Sequence, residues 1–120
     1  MIAIRGATTI LSNTKEDIKK ESIRLIKQII RDNNLNQEKI ISIFFSCTKD
    51  INKAYPGKYV REDLNLSNVA IMHFNEMDLD IPTLDLCIRV TLFYNGYVDN
   101  LRFVYLNKAV NLRKDLMKKI

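Results

Sequence analysis

Apolar residues recur along this chain in two rhythms, and the switches between them mark its elements. Ile2-Ala3-Ile4 running into Gly6-Ala7-Thr8 is an extended apolar segment that predicts a first strand over residues 2 to 8. From Asn13 to Asp32 the rhythm lengthens to helical steps, with Ile18, Ser22, Leu25, Ile26, Ile29 and Ile30 on one face and Lys19, Lys20, Arg24, Lys27 and Arg31 outward. Asn13 and Glu16 have the spacing of a capping box, in which side chains satisfy free backbone donors at the helix start, and Asn33-Asn34 stops the helix. A short helical turn at Asn36 to Lys39 leads into Ile40-Ile41-Ser42-Ile43-Phe44-Phe45-Ser46, whose β-branched and aromatic content predicts a strand buried on both faces.

Thr48-Lys49-Asp50 breaks that run. Ile51 to Leu64 carries apolar residues at helical steps interrupted by Pro56-Gly57, which predicts a loop and then a short helix over Lys58 to Leu64. Three more strands are predicted at Val69 to Phe74, Cys87 to Tyr94 and Leu101 to Leu106, with Asn95-Gly96 as the turn between the last two. The tail, Asn107 to Ile120, reads as basic and irregular or weakly helical. One long helix, one short helix and five strands make an α+β fold, a five-stranded mixed sheet covered on one face by helix. The other face also needs a cover, and a second subunit is the economical one.

The 120 residues show no composition shift or repeat, so residues 1–120 read as a single domain, short for an enzyme that must also enclose a substrate. A pocket shared between subunits would resolve that. A net charge of +5 points to anionic partners: nucleic acid, acidic lipid, or small carboxylated or phosphorylated metabolites. No leader and no stretch approaching the ~20 apolar residues of a membrane span is visible, which predicts a cytoplasmic protein without a membrane partner. Cys47 and Cys87, at the ends of strand-like runs, read as buried free thiols, and two isolated cysteines with one histidine do not make a zinc site.

The chemistry of the chain lies in charges set where they are expensive. Arg89 sits inside Cys87-Ile88-Arg89-Val90-Thr91-Leu92-Phe93, and Arg5 follows Met1-Ile2-Ala3-Ile4; burying guanidinium groups among such neighbours demands an anion. Together they suggest a small, dry, anion-receiving pocket. Glu76, ending the run Val69-Ala70-Ile71-Met72-His73-Phe74, is positioned to pair with an arginine or to face a ligand hydroxyl. Tyr105 is a core aromatic or a phenol for a ligand carboxylate; Lys58 and Arg61 lie three apart on a helical turn; His73 is a core histidine or a pocket neighbour. Each also has a purely structural reading. No Gly-rich phosphate loop, nucleophile elbow, paired-histidine helix or cysteine cluster is present, so the reaction, if there is one, is of a kind that charge placement alone can promote.

These residues, in this order, resemble the AroH-class chorismate mutases, the small trimeric form. The likeness runs nearly end to end through Ile4-Arg5-Gly6-Ala7-Thr8-Thr9, Tyr55-Pro56-Gly57-Lys58-Tyr59-Val60-Arg61, Asn75-Glu76-Met77-Asp78, Cys87-Ile88-Arg89-Val90, and Val104 to Arg113. It implies isomerisation of chorismate to prephenate by a Claisen rearrangement, without cofactor or metal, in a homotrimer with a barrel-like β core and sites between adjacent subunits. It further implies that Arg89 stabilises charge on the ether oxygen, Arg5 and Tyr105 hold carboxylate, and Glu76 accepts from the ring hydroxyl. Lys58, Arg61 and Arg113 would close around the dianion, with Tyr55 as an aromatic wall and His73 beside the substrate. The chain departs from the family pattern at His73, often a cysteine, at Tyr55 and Gly57, usually phenylalanine and alanine, at Lys114, often a proline, and in a longer segment Leu79 to Leu86.

Two other readings stand beside this one. A trimeric imine deaminase of the small α+β type also shares sites between subunits and uses an arginine for a carboxylate, although its motifs are not evident. A non-catalytic module binding nucleic acid or an acidic metabolite would use Arg5 and Arg89 structurally; the scattered positive residues without interleaved aromatics speak against nucleic acid.

Overall fold

The computed structural model describes residues 1–112. Five strands, β1 (Ile2–Thr9), β2 (Ile40–Cys47), β3 (Ala70–Asn75), β4 (Cys87–Tyr94) and β5 (Val104–Tyr105), form one mixed sheet in the order β3-β2-β4-β1-β5. Strand β4 runs antiparallel to both its neighbours, whereas β2 and β3, and β1 and β5, pair in parallel. Helices α1 (Lys15–Asp32) and α2 (Pro56–Leu64) make the crossovers and lie on one face, as the α+β reading predicts. Two 3₁₀ segments, Gln37–Lys39 and Asn107–Leu112, complete the regular structure of the described residues.

Alternation decides which side chains meet the helices. Ile4, Ile43, Phe45, Ile88, Val90, Leu92 and Val104 point to that side and pack with Ile18, Leu25, Ile26 and Ile29 of α1. Gly6 lets the helix close on β1, since a Cβ there would stand 2.9 Å from Ile29 Cδ1 and 3.0 Å from the Val104 carbonyl oxygen. Among the described residues the opposite face is covered only at the end where Ala109 packs on Ala7 and Cys87, and the rest has no layer above it. There Phe44 meets Phe93 and Phe74 edge-on at ring-centroid separations of 5.4 and 5.8 Å, and Met72 and Phe74 are about half exposed. Strand β2 is therefore fully buried on the helix side alone, and its other face is left half open, a correction to the expectation of burial on both sides.

Other boundaries also move. The N-cap of α1 is Thr14, whose hydroxyl accepts from the Asp17 N–H, while the Asn13 side chain instead exchanges hydrogen bonds with Asn52. Pro56-Gly57 does not interrupt α2 but opens it, because proline at the first helical position gives up a donor that has no intrahelical partner anyway. Asn95-Gly96 joins no hairpin: β5 is two residues long and pairs with β1, not β4. Arg5 is exposed rather than buried as the sequence suggests, because no described residue packs over its part of the sheet.

Candidate active site

Register places the charged groups in rows across the open face. Pairing runs Phe74, Ser46, Arg89, Ala7, Tyr105 from β3 to β5, so Arg89 emerges between two small residues with Tyr105 one strand further on. Arg5 lies one pleat along β1 in the next row, opposite Thr91. On the other flank the Glu76 N–H donates to the Cys47 carbonyl (2.8 Å), continuing the ladder past the end of β3 and turning Glu76 to the face that carries Arg89. Glu76 Oε1 then stands 3.4 Å from Arg89 Nε, with the two side chains 23% and 35% exposed. Four sequence-predicted residues, Arg5, Glu76, Arg89 and Tyr105, thus share one face of the sheet.

Arg89 Nε is sealed from solvent and, despite the nearby carboxylate, has no hydrogen-bond partner among the described residues. A buried unpaired donor costs on the order of 1–3 kcal/mol, and more on a charged group, so the arrangement is poised to take an acceptor. The surrounding cleft of about 230 Å³ is lined by Thr48, Glu76, Met77, Leu84, Cys87 and Arg89, among others. Its floor is fixed by residues that sequence reading passed over as a polar break. The Thr48 hydroxyl accepts from the Cys87 N–H (3.0 Å), and Asp50 Oδ2 accepts from the N–H of Leu86 (3.0 Å), a left-handed residue at φ 47°. These bonds anchor the start of β4 two residues before Arg89. Burial pushes the Cys87 thiol pKa up, partly opposed by the Arg89 charge, and burial drives that of Cys47 up to about 12, so both free thiols stay protonated at neutral pH.

His73, Tyr55, Lys58 and Arg61 gather elsewhere. Strand alternation turns His73 to the helix side, where its ring stacks on Phe45 at 5.4 Å and meets Tyr55 at 5.0 Å. Tyr55 is largely exposed, bordering an open cleft of about 530 Å³ with His73, Pro56 and Asn75, and Lys58 and Arg61 project from α2 into solvent. The residues picked out from the sequence therefore fall into two groups on opposite faces of the β3 edge. Arg113 lies outside the described residues.

His73 does a specific local task. Tyr55, the N-cap of α2, makes no side-chain cap, and His73 Nε2 instead accepts from the Gly57 N–H at 2.9 Å, satisfying one of the free donors of the first turn. Burial and the Arg61 charge both hold its pKa below the ordinary 6.5, and protonation would remove the acceptor. Since the folded pKa is depressed, the associated stability is fully present above pH 6.5 and is lost as pH falls toward the folded value. Tm should therefore fall between pH 7 and 5 more steeply in the parent than in His73→Gln; parallel pH profiles would refute the assignment. Gly57 is matched to this ring, since a Cβ there would overlap Ile71 Cγ2 and approach His73 Nε2 to 2.9 Å. Gly57→Ala should cost roughly 1–3 kcal/mol in chemical denaturation, despite the better helix propensity of alanine.

The chorismate mutase type I family model matches residues 1–116. The chain belongs to this family. It is 37% identical over 115 residues to the chorismate mutase AroH of Bacillus subtilis (strain 168), covering 94% of this chain and 90% of that protein. It is 30% identical over 116 residues to the chorismate mutase AroH of Thermus thermophilus, covering 94% and 93%. A solved chorismate mutase from Clostridium thermocellum superposes with a TM-score of 0.85 at 38% identity, over 91% of this chain and 97% of that one. The type I chorismate mutase fold is thus the α+β architecture described above, and the resemblance carried by the sequence motifs is that of the whole chain.

Proposed function

We propose that the chain, as one domain over residues 1–120, isomerises chorismate to prephenate through a non-covalent Claisen rearrangement. The observation that carries the reading is the solvent-sealed, unpartnered Nε of Arg89, 3.4 Å from Glu76 on the face shared with Arg5 and Tyr105. The rearrangement breaks an ether carbon–oxygen bond as a carbon–carbon bond forms within one molecule, so it requires no nucleophile, cofactor or acid–base pair. Electron density grows on the ether oxygen in the transition state. A fixed guanidinium aimed there stabilises the transition state more than the ground state, and holding the substrate in its reactive, folded conformation lowers the barrier further. In this assignment Arg89 meets the ether oxygen, Arg5 and Tyr105 bind carboxylate, and Glu76 accepts from the ring hydroxyl.

The remaining residues enter from a neighbouring copy. Tyr55, Lys58, Arg61 and His73 lie on the other face at the β3 edge, outside the lining of the Arg89 cleft of their own chain, which favours a cyclic homotrimer with sites between subunits. Such an assembly buries the half-exposed aromatic face of Phe44, Phe74 and Phe93 as the wall of a barrel-like core. Tyr55 then walls the pocket, and Lys58, Arg61 and Arg113 close it around the dianion. Among the described residues no helix is long and apolar enough to cross a membrane, and the protonated free thiols suit a cytoplasmic location. Loss of chorismate absorbance on adding purified protein, with the mass in solution equal to three chains, is the expected result. An inactive parent, or an active monomer, would overturn the reading.

A further inference from the structure

One polar cluster lies outside both groups of residues and has no counterpart in the chemistry above. Glu21 sits on the buried face of α1, only 7% exposed, and its Oε1 accepts from the Thr8 hydroxyl (3.0 Å), the Arg24 guanidinium (2.8 Å) and Asn107 Nδ2 (2.9 Å). Asn107 is itself in the left-handed region at φ 54°, and every polar atom of its side chain is engaged. Its Nδ2 also donates to the Thr9 carbonyl (2.8 Å) and lies 3.2 Å from Thr8 Oγ1, while its Oδ1 accepts from Arg24 (3.2 Å). A buried carboxylate repays its desolvation only through such donors.

The cluster stands at a corner. Before it, Tyr105 pairs with Ala7, and the Leu106 N–H donates to the Ala7 carbonyl. After it, the Lys108 N–H donates to Thr9 Oγ1 (3.2 Å), and the turn it opens buries Ala109 against Ala7 and Cys87 with Leu112, Leu84 and Tyr105 packed around them. Ala7 and Cys87 are the neighbours of Arg89 across and along the sheet. Whatever holds Asn107 therefore sets both the tyrosine and the segment Lys108–Leu112 against the Arg89 cleft.

We propose that Asn107 and Glu21 are positioning residues that govern substrate affinity by clamping this corner, without touching substrate themselves; the inference rests on the chorismate reading of the cleft. Asn107→Asp tests it. Aspartate tolerates the same backbone conformation but loses the donors and sets a second carboxylate against Glu21. KM for chorismate should rise about tenfold with kcat little changed, on the scale of one charge-assisted hydrogen bond. Adding Glu21→Gln restores a donor–acceptor pair of reversed sense and removes the repulsion, so most of the KM should be recovered in the double variant. Should Asn107→Asp fail to fold, Asn107→Gly keeps the left-handed corner without the side chain and should give the same rise in KM. An unchanged KM in the folded variant, a fall in kcat at constant KM, or no recovery in the double variant overturns the clamp. Parent protein that does not convert chorismate overturns the underlying reading instead, and the clamp with it.

Discussion

Arg89→Lys is expected to lower kcat/KM for chorismate by about two orders of magnitude, roughly 3 kcal/mol of transition-state stabilisation, with most of the loss in kcat. The expectation follows from where the donor is. Arg89 Nε is walled in beside Glu76 and has no hydrogen-bond acceptor among the described residues, so an oxygen arriving in the cleft meets a donor already desolvated and oriented. A lysine ammonium is a more strongly hydrated point charge on a flexible stem and cannot reproduce a planar fork fixed by its backbone row. It would also remain close enough to Glu76 to pair with it, which leaves the developing ether charge with a weaker partner. Stability should not fall, because the immediate neighbours of Arg89 in its row, Ala7 and Ser46, are small and its Nε makes no hydrogen bond among the described residues that the substitution would break. Steady-state kinetics with thermal denaturation on the same samples provides the check. A variant as fast as the parent would remove Arg89 from the chemistry.

Arg89 and Glu76 could be picked out from the chain alone because their positions are costly: a guanidinium inside an apolar strand and a carboxylate at the end of another require a compensating partner, and each lies within reach of the other. Strands β1, β2 and β4 and helix α1 were equally visible, since their hydrophobic periods are long and regular. Signals failed where a local cue answered a non-local question. Asn95-Gly96 describes a bend, but which strand β5 joins depends on β1, about a hundred residues earlier in the chain, and β5 goes there in parallel. Pro56-Gly57 marks a helix start as readily as a break, and only the His73 acceptor beneath it distinguishes the two. The exposure of Arg5 could not be read from neighbours in sequence, because apolar neighbours along a strand do not say whether anything packs over the face it points to, and none of the described residues covers Arg5. Glu21 carried a usable signal, an acidic residue at a buried helical position, yet its partner Asn107 is 86 residues away.

Mixing two inactive proteins should restore activity. In the proposed shared site, Arg89→Ala removes a group contributed by one chain and Lys58→Ala a group contributed by its neighbour, the two residues lying on opposite faces of the sheet at its β3 side. At chorismate concentrations well below KM each variant alone should turn over little, the first for want of transition-state stabilisation and the second for want of binding. When the two are co-refolded in equal amounts, subunits assort at random. A site built from the Arg89 half of one chain and the Lys58 half of its neighbour is intact when the first chain carries only the lysine change and the second only the arginine change. That combination arises at about one site in four, so the mixture should reach about a quarter of parent activity, whatever the number of subunits in the ring. Were each site completed within a single chain, no assortment could repair it, and the mixture would show only the mean of the two residual activities. The result separates a shared site from a self-contained one without reference to the oligomer's mass, and it tests the division of labour that the alternating side chains of β3 impose.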